Sequence, residues 1–260
     1  MSTERRPKIR ILHQMARSGG TIICRCLASM DGVVLLSEIH PAGLRMFNPL
    51  QQAMEWYALL TPGDIRLAKE GKLSFVEAIG LIAEHCQELD KTLVLRDWSH
   101  LDFIGIPFGQ PGYRPGLVEA LQKDFDLLRY STVRHPLDQW LSLTKNPMFA
   151  ERLAKPKYLR GVRHFSDMAV STGFLKYEQF TADPDTSLKQ LCDGLDLDFD
   201  PAYRERWPDY SNITGDVLPG RAGLTEISSL PRQAGIESVA KTFESRSDYR
   251  RILEMLGYSS

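Results

Sequence analysis

Residues 8–36 constrain the fold more than any other stretch of the chain. Lys8-Ile9-Arg10-Ile11-Leu12-His13 alternates polar and apolar residues as a short strand does. It leads into the turn Arg17-Ser18-Gly19-Gly20-Thr21, then into Ile22, Ile23, Cys24, Leu27 and Met30, which read as a helix. Val33-Val34-Leu35-Leu36 follows, an apolar run short enough for a buried strand. Strand, Gly-rich turn, helix and strand make a βαβ opening, the start of a parallel sheet.

The alternation continues downstream. Residues 47–60 and 74–89 read as helices, and in the second Phe75, Ile79, Ile82, Cys86 and Leu89 share one face. Residues 91–95 form a third strand ending at Arg96-Asp97, residues 126–134 a fourth, and Phe174-Leu175-Lys176-Tyr177 a fifth. The Pro- and Gly-rich segment 105–115 is a loop. Pro136 starts a helix carrying Leu137, Trp140 and Leu141; Asp183 caps another, with Pro184 at its first position and Leu188, Leu191 and Cys192 inward. Residues 203–233 lack periodicity and read as a long surface loop, and 238–256 as one or two closing helices. The expectation is a three-layer α/β protein with a mostly parallel sheet, one domain over residues 1–260.

Composition excludes several classes. With 32 Lys and Arg against 33 Asp and Glu, the net charge of −1 argues against a protein that coats nucleic acid. No apolar run approaches the ~20 residues of a membrane span. Arg5, Arg6, Lys8 and Arg10 are followed by no signal-peptide hydrophobic segment, and four cysteines are too few for a disulfide scaffold. Cys24 and Cys26, two apart on a helix, suit neither a clamp nor a zinc site, so a reducing cytoplasm is expected. No HExxH or paired metal spacing occurs, and no metal is expected. His85 and His164 read as ordinary.

In an open α/β sheet, ligands gather at the carboxyl ends of the strands, where the chemistry-bearing residues of this chain fall. The glycines after the first strand let backbone N–H groups close around an anion at a helix N-terminus. Arg17 adds charge there, and Ser18 and Thr21 add hydroxyls; a plain βα turn would use similar residues. The turn is neither a Walker A loop nor Gly-x-Gly-x-x-Gly, which disfavours an ordinary ATPase or a dinucleotide oxidoreductase. Arg134 ends the fourth strand and Ser142 lies eight residues on, so the two could converge on a second anion.

Together these elements resemble the sulfotransferases that use 3′-phosphoadenosine 5′-phosphosulfate (PAPS), whose fold is similar to that of P-loop nucleotide kinases. Arg17-Ser18-Gly19-Gly20-Thr21 resembles the family's 5′-phosphosulfate loop, with Gly20 replacing a usual hydroxyl residue. Arg134 and Ser142 resemble its 3′-phosphate signature. Lys176-Tyr177-Glu178 is similar to a Tyr-Glu-Asp stretch whose tyrosine lies near the adenine. Thr214-Gly215-Asp216 with Gly220-Arg221-Ala222-Gly223 resembles a late basic loop that closes over the cofactor, bringing Arg221 and Gly223 to it.

The resemblance implies transfer of a sulfuryl group from PAPS to an acceptor hydroxyl or amine, leaving adenosine 3′,5′-bisphosphate, without a metal. Two residues are candidates for the base: Glu38 after the second strand and His100 in Ser99-His100-Leu101 after the third. Glu38 is preferred on the resemblance and on the second strand lying beside the first. His100 has the chemical advantage of a side chain already tuned to neutral pH. Trp56, Tyr57 and the run 103–108 either line an acceptor pocket or pack in the core, the commoner role of such residues, and a small molecule, a carbohydrate or a peptide would each fit as acceptor. The oligomeric state is left open. A nucleotide-dependent phosphotransferase and a non-catalytic adenosine bisphosphate binder are the alternatives.

Overall fold

The computed structural model describes residues 6–215, 226–228 and 236–259. Its centre is a five-stranded sheet of β1 (Lys8–Gln14), β2 (Val33–Ile39), β3 (Thr92–Asp97), β4 (Asp126–Val133) and β5 (Phe174–Lys176). All neighbours pair in parallel, in the order β2-β3-β1-β4-β5. β3 therefore separates β2 from β1, which corrects the expectation that β1 and β2 are adjacent. The chain leaves β1 for the sheet edge and returns, so the carboxyl ends of β1 and β3 sit side by side at the centre.

Helices cover both faces, as parallel strands with two apolar faces require. On one face, Gly20–Ala28 and Pro184–Leu195 pack over Leu12, Leu35, Val94 and Tyr130. On the other, Pro49–Tyr57, Phe75–Glu88 and Gly116–Leu121 cover Ile9, Ile11, Val34, Leu36, Leu93 and Leu95. Capping follows the sequence closely. Ser74 and Glu77 close a reciprocal box at the start of Phe75–Glu88, and Asp183 accepts from the Thr186 amide.

The helix Lys155–Thr172 was not legible in the sequence. Its Lys- and Arg-rich start masks a buried face of Tyr158, Leu159, Val162, Phe165 and Ala169, which packs with Phe103 and the helices Ile236–Glu244 and Ser247–Leu256. Residues 203–215 are mostly irregular, as expected, apart from the short helix Tyr203–Arg206. No helix among the described residues is long and apolar enough to cross a membrane. The four cysteines are free and buried.

Candidate active site

A cleft of about 420 Å³ opens at the carboxyl ends of β1, β2 and β3. It gathers Arg17, Gly19, Gly20, Thr21, Glu38, His100, Arg134 and Tyr177 from five separate stretches of chain. Gly19 stands just before Gly20–Ala28 with φ 86°, and no side chain caps that helix end. The first amides and the positive end of the helix dipole thus face outward, as an anion site needs.

Both glycines are required by close approach. A Cβ on Gly19 would lie 2.0 Å from the Tyr177 ring, which covers the turn. A Cβ on Gly20 would lie 1.9 Å from Oε1 of Gln14. That amide is fixed: its Oε1 accepts from Arg96 Nε at 2.9 Å and its Nε2 donates to Cys24 Sγ. The glycine that departs from the resembled loop is therefore matched to a buried glutamine beneath it.

Arg17 takes φ 63° and donates from Nε to Ser142 Oγ at 3.0 Å. Arg134 donates to the Arg17 carbonyl at 3.2 Å and lies 4.8 Å from the centre of the Tyr177 ring. Arg17, Ser142, Arg134 and Tyr177 are thus one cluster. Ser18 is buried, and its hydroxyl does not line the cleft. Glu178, next to Tyr177, accepts from the His135 amide and the Tyr258 hydroxyl, which anchors the loop after β4.

Glu38 owes its position to a bulge. Leu36 pairs with Leu95 and Ile39 with Asp97, so Ser37 and Glu38 together oppose Arg96 alone. Glu38 adopts φ 57°, a left-handed conformation that costs about 1–3 kcal/mol in a residue with a Cβ. Its carboxylate stands 4.0 Å from Arg96 Nη2. Arg96 is the hub of this end: besides Gln14 it donates to Ser37 Oγ at 3.1 Å and the Thr214 carbonyl at 2.8 Å. Thr214 bonds Ser37 in turn, and Gly215 lies against Glu38. Asp216, Gly220, Arg221, Ala222 and Gly223, the rest of the expected cofactor loop, lie outside the described residues.

His100 also lines the cleft, but burial, reinforced by Arg96, pushes its pKa down to about 3. The expectation that it is tuned to neutral pH is corrected: it is a neutral, weakly basic imidazole. Beneath it, Asp97 accepts from His13 Nδ1 at 2.7 Å and from Ser99 Oγ at 2.6 Å. Burial alone would raise Asp97, but these bonds outweigh it and hold its carboxyl below the usual range.

The residues weighed between an acceptor pocket and the core mostly take the packing role. Tyr57 bonds the Leu35 backbone and Tyr210, Phe103 is core, and of the run 103–108 only Pro107 lines the cleft. Met46, Phe47, Trp98, Met148 and Phe149 line it instead. Arg96 and Gln14 were also missed; a charged residue at the end of a central strand was the available signal for Arg96. Among the described residues, no group of three or more His, Cys, Asp or Glu is placed to hold a metal.

No protein-family model matches the sequence, and no curated protein matches it. Solved structures do match in shape. The sulfotransferase domain of the Synechococcus PCC 7002 olefin synthase is 19% identical, with a TM-score of 0.67 over 99% of this chain and 98% of that one. The sulfotransferase domain from the curacin biosynthetic pathway is 20% identical, with a TM-score of 0.63 over 98% and 99%. The α/β architecture described above is therefore the sulfotransferase fold.

Proposed function

We propose that the protein transfers a sulfuryl group from PAPS to an acceptor hydroxyl or amine. The observation that carries this reading is one cleft in which an uncapped helix N-terminus, Arg17 and Arg134 stand opposite Glu38. The residues fit the donor. Arg134 Nε is buried with no hydrogen-bond partner among the described residues, an orphan suited to a phosphate oxygen. The Tyr177 face beside it suits a purine ring.

When bound, PAPS supplies an electrophilic sulfuryl group and a phosphate leaving group. Arg17 and the backbone N–H groups of Gly19 to Thr21 hold the leaving phosphate and stabilise the negative charge that grows on it. Arg134, with Ser142 steadying Arg17, holds the 3′-phosphate. Glu38 takes the acceptor proton as the new bond to sulfur forms. Strain stored at a left-handed glutamate supports that role, because such backbone persists where the site requires it. His100, neutral and weakly basic, positions the acceptor hydroxyl as a hydrogen-bond partner. The domain acts as one unit, and a cytoplasmic setting suits four free thiols.

The test is thermal stability with ligand. Adenosine 3′,5′-bisphosphate at a hundredfold excess over Kd stabilises by ~2.7 kcal/mol, whereas ATP and NAD leave the melting temperature nearly unchanged. No shift at millimolar bisphosphate removes the assignment. A shift without sulfate transfer to any of a broad acceptor panel converts the reading to a non-catalytic binder.

A further inference from the structure

The residues on both sides of Tyr177, and the one after Arg134, are gripped by a single side chain. Tyr258, two residues past the helix Ser247–Leu256, donates its hydroxyl to Glu178 Oε2 at 2.8 Å. Its ring stands edge-on to His135, with 5.1 Å between centroids, and takes the Lys176 ammonium on its face at 4.6 Å. Lys176 Nζ also donates to the Gly257 carbonyl at 2.6 Å, and the Tyr258 amide donates to the Leu253 carbonyl at 2.9 Å. Gly257, at φ 62°, ends the helix in the left-handed turn from which Tyr258 projects.

The grip matters because Glu178 is a carboxylate beside a site that must receive an anion. Arg134 stands 4.8 Å from the ring of Tyr177, the residue next to Glu178. A carboxylate released there competes for the guanidinium, since Arg–carboxylate pairs are strong in half-buried surroundings. Two bonds hold it elsewhere: Oε1 accepts from the His135 amide at 2.9 Å, and Oε2 accepts from Tyr258. Burial, together with the Glu178 carboxylate, pushes the Tyr258 phenol well above its ordinary range, so the hydroxyl stays a donor. The Arg134 charge acts the other way on this hydroxyl, which puts the guanidinium within electrostatic reach of the Glu178–Tyr258 pair.

We infer that Tyr258 is a positioning residue for the 3′-phosphate: by holding Glu178 it keeps that carboxylate off Arg134 and the guanidinium available to the anion. This rests on the reading of Arg134 as the 3′-phosphate ligand. The experiment is calorimetry with adenosine 3′,5′-bisphosphate and with adenosine 5′-monophosphate. It compares the parent protein, Tyr258→Phe, Glu178→Gln and the double variant. Phenylalanine keeps the ring against His135 and Lys176 and removes only the donor, and the melting temperature without ligand checks that each variant is folded.

In Tyr258→Phe the preference for the 3′-phosphorylated ligand falls about three- to tenfold, because the released carboxylate turns to Arg134. Adding Glu178→Gln restores most of it, since an uncharged amide cannot neutralise the guanidinium. A merely supporting role gives the opposite result, because a second bond lost from one network loosens it further. Glu178→Gln alone keeps the preference. An unchanged preference in Tyr258→Phe overturns the inference. So does a loss that Glu178→Gln leaves or deepens, or a comparable loss in Glu178→Gln alone. A parent protein that binds both adenosine ligands equally removes the Arg134 assignment and the inference with it. A parent that prefers the bisphosphate, with that preference intact in Tyr258→Phe, removes the inference alone.

Discussion

At the anion end of the cleft, side chains hold one another through directional bonds: Arg17 to Ser142, Arg134 to the Arg17 carbonyl, Arg96 to Gln14, Ser37 and Thr214. At the other end, aromatic rings meet edge to face, and Met46, Phe108 and Met148 beside them are exposed. The contrast teaches how labour is divided. Directional bonds fix a geometry to fractions of an ångström, which stabilising a growing charge requires. Apolar contact, with flexible methionines, tolerates variation in the ligand's shape.

If that division holds, the largest losses follow changes at the boundary between the two ends. Glu38→Gln lowers turnover ~10²–10⁴-fold at saturating PAPS and acceptor, read by initial rates with bisphosphate affinity measured separately. His100→Asn has a smaller effect. Near-normal turnover in Glu38→Gln, with collapse in His100→Asn, would move the base to the histidine and break the comparison where it matters most.

Next in size is Arg134→Ala. Bisphosphate binding weakens about ten- to hundredfold, and the preference for a 3′-phosphorylated ligand falls with it, because a charge-assisted hydrogen bond is worth ~1.5–3 kcal/mol. Calorimetry with 3′,5′- and 5′-phosphorylated adenosine separates the two effects. An unchanged preference would assign the 3′-phosphate elsewhere.

The pairing of Gly20 with Gln14 is smaller but sharper. Gly20→Ser displaces the Gln14 amide and destabilises by ~1–3 kcal/mol in chemical denaturation. Adding Gln14→Ala makes room, so the double variant loses less than the sum of the single ones. Strict additivity would mean that the two positions are independent.

The last effect concerns pH. The folded pKa of His100, about 3, lies below its unfolded value, about 6.5. Between these limits the unfolded chain binds the extra proton, so the contribution of this residue to stability is lost as pH falls from about 6.5 toward 3. His100→Gln flattens that part of the stability curve relative to the parent, measured by melting temperature from pH 7 to 4. An unchanged slope would show that the buried imidazole is not a source of acid sensitivity.

How much of this the sequence carried differs by end. The anion loop occupies adjacent residues, 17 to 21, and Arg134 with Ser142 lies within one strand–helix junction, so local spacing reveals them. Met46, Trp98, Pro107 and Met148 come together only once the sheet order is known. That order is set by packing between strands far apart in sequence, which no local pattern encodes. The same applies to Glu38. Its candidacy was visible, whereas the bulge that aims it depends on how β2 pairs with β3. Lys155–Thr172 escaped for another reason: its apolar face is interleaved with Lys and Arg whose exposed ends hide the period.

The sealed cysteines give the molecule a clock. Burial pushes the pKa of Cys24 up to about 11 and those of Cys86 and Cys192 up to about 12, so thiolate, the species that reacts with alkylating reagents, is scarce in the folded chain. Each thiol becomes a target only while its surroundings are open. Cys24 and Cys26 sit on the helix behind the anion loop, Cys86 on the opposite face of the sheet, and Cys192 on the helix Pro184–Leu195. The order in which the four are modified reads out which wall of the protein opens first. A ligand seated on the loop slows the first pair most.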